Sequence, residues 1–297
     1  MYPRAFHYHR AHSLEEAAAM LAEFGDEAKF LAGGQSLIPL MKLRFANPTH
    51  LVDLNFIPGT SFIREENGTL RLGALTRHAE IEGSTVAARI PILHDCAAGI
   101  ADVQVRNRGT IGGSLAEADP SGDWATVLMT LQTEVHCRDR TSGRHLPLAD
   151  FIKDAYTTAL AHHELVSEIA VRTPPQGSGG AYIAFKRSAP VYPTASAAAQ
   201  LTMEGDVCQD GAIALGCVGL TAIRAKDAEA ALRGQRITAK TMAAVVEAAR
   251  AAAEPQSDMR GSADYKRTLV GSLVKRVIDL AVRRARGEPV EVSHIYA

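Results

Sequence analysis

The amino-acid sequence predicts an α+β protein of three parts, and three observations lead to this class. The first 57 residues of the 297-residue chain alternate strand and helix patterns. The next stretch mixes alternating apolar residues with helical runs, and from residue 176 three strand-like runs precede three alanine-rich helical runs. We therefore expect an N-terminal lobe over 1–57, a second lobe over 58–175 and a C-terminal domain over 176–297.

The N-terminal lobe shows a strand–helix–strand order. AFHYHRA predicts a strand, and a helix is expected to begin at Ser13, whose spacing to Glu16 fits a capping box. Gly25 suits the C-cap of that helix, and Ala28 to Leu31 predict a second strand. SLIPLMKLRF then predicts a short helix and HLVDL a further strand. This order favours parallel strands.

The second lobe and the C-terminal domain follow from the same kind of pattern. Strands are expected at TLRLGAL, EVHCR and LVSEIAV, and helices at PILHDCAAGIA and DWATVLMTL. RTPPQGSGG, from Arg172 to Gly180, has the composition of a linker. After it, AYIAFKR, TASAAAQLTM and AIALGCVGL predict three antiparallel strands. Helices are expected near Lys226–Leu232, Ala239–Ala253 and Ser262–Ala285.

Composition and charge exclude several classes of protein. The formal net charge is −1 without a long basic run, so no nucleic-acid partner is expected. No run approaches the ~18 apolar residues of a membrane span. The N-terminus lacks the apolar stretch of a secretory signal, so a cytoplasmic protein is expected. The four cysteines are scattered without a C-x-x-C pair, which predicts neither disulfides nor an iron–sulfur or zinc site in this chain.

Two glycine pairs are the main candidates for a binding site. Gly33 and Gly34 lie between an apolar run and a helical pattern, and Gly112 and Gly113 repeat this arrangement. Backbone N–H groups around glycines can converge into an anion-binding concavity, and a pyrophosphate could use both loops. Each pair is also compatible with a plain strand-to-helix turn. Neither a P-loop nor a G-x-G-x-x-G pattern after a strand is present, so a dinucleotide would need another scaffold.

Two long segments carry a resemblance to a known family. LAGGQSLIPLMKLRFANPTHLVDLN and DVQVRNRGTIGGSLAEADPSGD resemble the FAD-binding segments of the medium subunit of molybdenum hydroxylases. This family includes the medium chain of aerobic carbon monoxide dehydrogenase and, more distantly, the flavin domain of xanthine dehydrogenase. The similarity runs over essentially the whole chain. It implies a two-lobed FAD-binding domain of the vanillyl-alcohol-oxidase/PCMH type, and a C-terminal domain of a three-stranded antiparallel sheet with a helical bundle, closing over the flavin.

The resemblance also implies the cofactor-binding residues. The two pyrophosphate loops correspond to Leu31, Ala32, Gly33, Gly34, Gln35, Ser36 and Leu37, and to Thr110, Ile111, Gly112, Gly113 and Ser114. Asp123 corresponds to an acidic contact of FAD, Val166 to an apolar contact near it, Lys186 to a lysine close to the flavin ring, and Tyr192 to an aromatic residue beside the isoalloxazine. We expect FAD to be bound non-covalently, because no His or Cys occupies an obvious attachment position. No catalytic side chain is expected, because the flavin supplies the redox chemistry.

Three departures from the family pattern concern the substrate of the complex. Gln35 stands where the carbon monoxide branch commonly has a histidine, and Ser114 replaces an Asp or Asn. APVYPT, Ala189 to Thr194, stands where the family often has Gly-Asp-Tyr or Gly-Asp-Phe, and its two prolines stiffen the loop around Tyr192. These changes disfavour carbon monoxide and favour another oxidisable molecule, such as an N-heterocycle or an aldehyde.

Other conspicuous residues are assigned structural roles. His7, His9 and His12 form H-x-H-x-x-H, but no acidic or thiolate group nearby completes a metal site, so exposed or capping histidines are expected. Trp124 is expected to anchor the core. Arg106 and Arg108 fit a pyrophosphate-steering or partner-facing role as well as a solvated loop. No Ser-His-Asp or Cys-His set can be assembled.

The resemblance finally implies partners. A large subunit would carry the molybdenum cofactor and a small subunit the [2Fe–2S] clusters, in a dimer of heterotrimers. The FAD of this chain would collect electrons and pass them to an external acceptor. Two alternatives remain compatible with the residues: a self-contained FAD-dependent oxidase of related fold, and a non-catalytic nucleotide-binding subunit.

Overall fold

Three main β-sheets organise the computed structural model of the chain, which describes residues 2–188 and 190–292 and the backbone of residues 295 and 296. Helices and strands are mixed throughout, so the predicted α+β class is confirmed. Within the described residues, no helix combines the length and the apolar character that a bilayer crossing requires.

The N-terminal lobe contains a small parallel sheet. Its elements are β1 (His7–Arg10), α1 (Leu14–Phe24), a 3-10 turn (Gly25–Glu27), β2 (Ala28–Leu31), α2 (Leu37–Leu43) and β3 (His50–Asp53). The strand order is β1-β3-β2, and both pairings are parallel, as predicted. Ser13 caps α1 by accepting from Glu16 N at 3.0 Å, and Gly25 ends it with a φ of 57°. Because Leu31 pairs with Asp53, β2 and β3 end at the same edge of the sheet.

The second lobe is built on a five-stranded antiparallel sheet. Its elements are β4 (Ile63–Glu66), β5 (Thr69–Gly73), α3 (His78–Glu82), a 3-10 turn (Ala87–Arg89), α4 (Pro91–Gly99), α5 (Val103–Arg106), α6 (Ile111–Glu117), α7 (Asp123–Leu128), β6 (Thr133–Arg138), β7 (Gly143–Pro147), α8 (Leu148–Phe151), β8 (Ile152–Asp154), β9 (Thr157–Thr158) and β10 (Leu165–Arg172). The strand order is β4-β5-β10-β6-β7, and β8 pairs with β9 separately. Trp124, as expected, is fully buried in the core of this lobe.

One helix of the second lobe is shorter than its sequence predicts. The helix expected over DWATVLMTL ends at Leu128. The Thr130 hydroxyl donates to the Val127 carbonyl at 2.7 Å, and the Thr133 hydroxyl donates to the Leu128 carbonyl at 3.0 Å. These side chains satisfy the last helical carbonyls, so the chain turns into β6 without leaving them unpaired.

The C-terminal domain is a sheet covered by helices. Its elements are β11 (Ser178–Lys186), β12 (Ala195–Glu204), β13 (Val207–Gly216), β14 (Ile223–Arg224), α9 (Lys226–Leu232), β15 (Gln235–Arg236), α10 (Ala239–Ala252), α11 (Ala263–Ala285) and β16 (Ile295–Tyr296). The three predicted antiparallel strands, β11, β12 and β13, form its centre. The described sheet nevertheless has six strands rather than three, because two-residue strands pair with both outer strands.

The connection into this domain is also shorter than its composition suggests. Arg172 ends β10 and Ser178 begins β11, so only residues 173–177 link them, not the whole run from Arg172 to Gly180. A Cβ on Gly179 would lie 2.1 Å from the Ala281 carbonyl oxygen of α11. Glycine therefore serves close helix–strand packing at this position, and not chain flexibility.

A buried ion pair joins the C-terminal helix to the second lobe. Arg284 of α11 binds both carboxylate oxygens of Asp95 of α4, at 2.6 and 2.9 Å. Arg284 also donates to the Gly180 carbonyl at 2.7 Å, and Tyr182 N donates to the Asp95 carboxylate at 3.1 Å. The pair thus connects α4, β11 and α11 through directed hydrogen bonds.

Candidate functional site

The two glycine pairs lie next to each other in the structure. A Cβ on Gly33 would lie 2.3 Å from the Arg108 carbonyl oxygen and 2.8 Å from the Gly109 Cα, three residues before Gly112 of the second pair. A Cβ on Gly113 would lie 3.7 Å from the Ala32 Cβ. Gly33 lacks a side chain because the backbone of the second segment occupies that space. We call residues 31–37 the first glycine loop and residues 110–114 the second glycine loop.

The first glycine loop presents free backbone donors. The N–H groups of residues 32 to 37 make no hydrogen bond to any residue that the structure describes. Gly34 has a φ of 75°, a conformation that bends the chain and that other residues rarely adopt. The Asn55 amide donates to the carbonyls of Ala32 at 2.9 Å and Leu31 at 3.4 Å, so these two oxygens are occupied. A row of free N–H groups beside neutralised carbonyls suits an anion.

The backbone donors of residues 111–114 in the second glycine loop are occupied. Ile111 N donates to the Thr76 carbonyl at 3.1 Å and Gly112 N to the Ala74 carbonyl at 2.9 Å. Gly113 N donates to the Thr110 hydroxyl at 3.1 Å, and Ser114 N to the Thr110 carbonyl at 3.0 Å. The expectation that both loops offer N–H groups to a ligand is therefore met only by the first. The second is held by its own N-cap and by the 74–76 segment.

Gly112 explains this difference by its packing. A Cβ at this position would lie 2.6 Å from the Ala74 Cβ and 2.7 Å from the Ala74 carbonyl oxygen. The second pair therefore allows α6 to approach the segment after β5. The Ser114 hydroxyl makes no hydrogen bond to a described residue and lines a cleft with Asp119, Gly122 and Ala222. This hydroxyl is a side-chain donor that the second loop leaves available.

A buried histidine, His78, bonds to the residue that precedes the second loop. Trp124 Nε1 donates to His78 Nδ1 at 3.1 Å, and His78 N donates to the Gly109 carbonyl at 3.1 Å. Burial, together with the cations of Arg77 and Arg106, lowers the pKa of His78 to about 4. His78 is therefore neutral near pH 7, and the bond from Trp124 places its ring proton on Nε2.

Asp123 and Lys186 meet in the interior. Their side chains are 7% and 1% exposed, and Lys186 Nζ lies 4.0 Å from Asp123 Oδ1. Lys186 Nζ also donates to the Gly99 carbonyl. The Tyr182 hydroxyl donates to Asp123 Oδ1 at 2.6 Å, and burial raises the pKa of that phenol well above its ordinary value. Opposite charges and directed donors compensate one another here, as buried charges require.

Tyr192 and Val166 lie in different surroundings. Tyr192 is 49% exposed on the loop before β12, and Ala189 of the same loop lies outside the described residues. Desolvation and the nearby Asp119 carboxylate raise the pKa of the Tyr192 phenol. Val166 is buried on β10, where its side chain packs in the hydrophobic core of the second lobe.

The histidines of the N-terminal lobe form a ring stack. His9 Nε2 lies 2.9 Å from His50 Nδ1, and the His7 ring stacks on His50 with centroids 5.2 Å apart. The Phe24 ring stacks on the rings of His9 and His50. Among the residues that the structure describes, no group of three or more His, Cys, Asp or Glu side chains could hold a metal ion.

Sequence reasoning missed three residues at the glycine loops: Asn55, Arg77 and His78. Asn55 could have been found, because it follows β3 at the edge where β2 enters the first loop, and parallel strands end together. Arg77 and His78 carried no such signal. Their contacts with residues 108–110 depend on an antiparallel bridge between Arg77 and Thr110.

The chain matches two known families of protein domain over most of its length. Residues 4–174 match the model of the FAD-binding domain in molybdopterin dehydrogenase. Residues 180–281 match the C-terminal domain of the carbon monoxide dehydrogenase flavoprotein. The chain belongs to the FAD-binding subunits of the molybdopterin dehydrogenases. FAD is accordingly the cofactor of this family of oxidoreductase subunits, and the resemblance inferred from the glycine segments is confirmed.

Individual members of the family are similar over their whole length. The carbon monoxide dehydrogenase medium chain of Hydrogenophaga pseudoflava is 40% identical over 285 residues, covering 96% of this chain and 99% of that protein. Subunit alpha of the 6-hydroxypseudooxynicotine dehydrogenase complex of Paenarthrobacter nicotinovorans is 38% identical over 296 residues, covering 99% and 100%. A structure of carbon monoxide dehydrogenase from Hydrogenophaga pseudoflava superposes with a TM-score of 0.93 at 42% identity, covering 96% and 99%.

The geometry of the first glycine loop fits the pyrophosphate of the family's cofactor. FAD carries two adjacent phosphates, and residues 32–37 offer consecutive N–H groups that no described residue uses. The half-exposed setting of this loop leaves it open to a ligand. The Ser114 hydroxyl of the second loop has no described hydrogen-bond partner, and the backbone before that loop packs closely against the first.

Proposed function

We propose that this chain is the FAD-binding electron-transfer subunit of a molybdenum-containing hydroxylase. It takes electrons from a small [2Fe–2S] subunit and passes them to an external acceptor, while a large subunit carries the molybdenum cofactor. The observation that supports this role most directly is the first glycine loop, whose free N–H groups suit a pyrophosphate. The full-length similarity to medium chains of such enzymes supports the same assignment.

The first glycine loop holds the cofactor at its phosphates in this proposal. The N–H groups of residues 32–37 and the hydroxyls of Ser36 and Ser114 bind the phosphate oxygens. Because the Asn55 amide occupies the carbonyls of Leu31 and Ala32, these oxygens repel the phosphates less. The loop therefore binds an anion mainly through a fixed backbone.

The interior pair of Asp123 and Lys186 lies toward the flavin ring in this proposal. When bound, FAD supplies the chemistry that accepts and releases electrons. Lys186 is buried 4.0 Å from Asp123 Oδ1, and Asp123 offers its second carboxylate oxygen to a ligand donor. The lysine charge favours an anionic ring and so a higher reduction potential. Val166 and Tyr192 are proposed to contact other parts of the same cofactor.

The substrate is oxidised on the large subunit in this proposal, so this chain indicates the substrate only indirectly, through its departures from the family pattern. The two similar subunits belong to enzymes named for different substrates, carbon monoxide and 6-hydroxypseudooxynicotine, at 40% and 38% identity. We propose that the departures from the family pattern at Gln35, at Ser114 and in the loop around Tyr192 indicate an N-heterocycle or an aldehyde as the substrate of the complex, and not carbon monoxide. We also propose a dimer of heterotrimers in the cytoplasm, where unpaired thiols such as the four cysteines of this chain persist.

Purification of the chain alone tests the proposal. We expect a yellow protein with one FAD per chain, no iron, and free FAD in the supernatant after heat or acid precipitation. Addition of the substrate of the complex should leave the flavin oxidised until the iron–sulfur and molybdenum subunits are added, and then reduce it.

Each alternative has its own result in this experiment. Turnover of the organic substrate by the isolated chain would identify a self-contained FAD oxidase. A colourless protein that binds FAD in no reconstitution would identify a non-catalytic subunit. A yellow pellet over a colourless supernatant would contradict non-covalent binding.

A further inference from the structure

Arg77 lies between the two glycine loops, and both terminal nitrogens of its guanidinium donate hydrogen bonds. Its Nη2 donates to the Asn55 side-chain oxygen, and its Nη1 donates to the Arg108 carbonyl. The Arg108 carbonyl is the group against which Gly33 packs. Arg77 thus contacts both Asn55, which bonds to the first loop, and the Arg108 carbonyl, which touches that loop at Gly33.

Asn55 transmits this contact to the first loop. Its amide nitrogen donates to the Ala32 carbonyl at 2.9 Å and to Asp53 Oδ1 at 2.6 Å, and its backbone N donates to the same carboxylate oxygen at 2.8 Å. The Tyr8 hydroxyl donates to the other oxygen, Asp53 Oδ2, at 2.6 Å. A single orientation of the Asn55 side chain satisfies these bonds, because its oxygen must face Arg77 and its nitrogen the loop.

The charge of Arg77 is not balanced by a direct ion pair among the described residues, since both guanidinium bonds end on uncharged oxygens. Burial and the neighbouring Arg108 cation lower the pKa of the guanidinium. The Glu80 and Asp53 carboxylates act in the opposite direction, and an anion placed at the free N–H groups of the first loop would add to their attraction as well as satisfy donors.

We propose that Arg77 is a positioning residue of the pyrophosphate site: through Asn55 and the Arg108 carbonyl it sets the distance between the two loops and keeps the first loop's N–H groups free for phosphate. This inference rests on the proposed function and assigns the residue that pre-organises its cofactor site. Lysine carries its three donors on one nitrogen and lacks the planar fork by which Arg77 reaches two separate oxygens, so we expect that it does not replace arginine here.

The test compares ligands with and without phosphates. Apoprotein is prepared, and the dissociation constants of FAD and riboflavin are measured by fluorescence quenching for wild type, Arg77→Gln, Arg77→Lys and Asn55→Ala. We expect FAD to bind ~10- to 100-fold more weakly to all three variants, as the loss of hydrogen bonds at a charged site predicts. Riboflavin, which lacks phosphate, should change less than about threefold. Arg89→Gln, which removes an exposed arginine paired with Glu65 in the same lobe, should leave both constants unchanged.

A double variant separates positioning from general stability. If Arg77 acts through Asn55, adding Arg77→Gln to Asn55→Ala should weaken FAD binding far less than Arg77→Gln does alone. Equal weakening of FAD and riboflavin, or full FAD affinity in Arg77→Gln, would overturn the proposal while the FAD function stands. Failure of wild-type apoprotein to bind FAD would instead overturn the function. If neither Arg77 variant folds, Arg77 is a folding residue and the positioning role is rejected.

Discussion

The first and second glycine loops contain the same dipeptide, the first between β2 and α2 and the second in the first turn of α6, yet they use it differently. Gly33 and Gly34 leave a row of backbone donors free, whereas the donors around Gly112 and Gly113 bond to Thr76, Ala74 and Thr110. The comparison teaches that a glycine pair indicates close backbone approach, and the neighbours decide whether a ligand or another segment approaches. Here one loop keeps its backbone donors unbonded, and the other allows two segments of the fold to pack closely.

The largest expected effect is on the first loop. Gly33→Ala places a Cβ 2.3 Å from the Arg108 carbonyl oxygen, with rigid backbone on both sides, so the two loops must separate. We expect the purified variant to lose its flavin, because the backbone that would hold the phosphates is displaced. The ratio of the flavin absorbance at ~450 nm to the protein absorbance at ~280 nm measures this loss. Gly143→Ala is the matched control, since its new Cβ would meet nothing closer than 3.4 Å. A Gly33→Ala protein that keeps a full complement of FAD would show that the contact between the loops is dispensable.

The second loop should respond in stability first. Gly112→Ala brings a Cβ to 2.6 Å from the Ala74 Cβ, and overpacking of this kind costs about 3 kcal/mol of unfolding free energy. Urea denaturation of the apoprotein measures the loss. Combining Gly112→Ala with Ala74→Gly should recover part of it, because the second change removes one of the colliding atoms. Unchanged stability with lost FAD would mean that the second loop is also a ligand-binding backbone.

The pH dependence of stability probes the support behind the second loop. The folded-state pKa of His78, about 4, lies below the ordinary value of 6.5, so the unfolded chain binds the proton more tightly in this range. The contribution of neutral His78 to stability is complete above pH 6.5 and is lost as the pH falls toward 4. It amounts to no more than about 3 kcal/mol. His78→Gln, which can still accept from Trp124, should have a flatter stability curve over this range, and identical curves would contradict the assignment.

The smallest effects distinguish the hydroxyls of the two loops. Thr110→Val removes the acceptor of Gly113 N and should lower the unfolding free energy by about 1 kcal/mol, as the loss of an N-cap does. Ser36 makes no capping bond to α2, so Ser36→Ala should leave apoprotein stability unchanged and weaken FAD binding. Thermal unfolding and FAD titration of both variants measure the contrast. The reverse pattern would exchange the roles given to the two loops.

The local elements were predictable because their signals are local. Ser13, Glu16 and Gly25 delimit α1, and alternating or apolar runs locate the long strands, including β11, β12 and β13. The parallel order of the N-terminal strands followed from their connection through helices. Two-residue edge strands and the early end of α7 were missed, because pairing partners and the Thr130 and Thr133 hydroxyls decide them.

The meeting of the two glycine segments was predictable from the sequence, whereas the use of their backbone donors was not. The segments around Gly33 and Gly112 indicated a shared site, and the loops do meet. Nothing within the second segment shows that its donors are used by residues 74–76, more than thirty positions earlier. The burial of Lys186 against Gly99 and Asp123 likewise depends on packing between parts of the chain that only the fold brings together.

The ion pair between Asp95 and Arg284 has a consequence for dividing the gene. A break within residues 173–177 would place the carboxylate on one polypeptide and the guanidinium on the other, although each is almost wholly enclosed, at 2% and 8% side-chain exposure. Removing one partner of such a pair costs about 3–5 kcal/mol, because the other ion is left without compensation. Co-expressed fragments should therefore reassemble into one flavoprotein, each acting as an obligate chaperone for the other, whereas either fragment made alone should be insoluble or degraded.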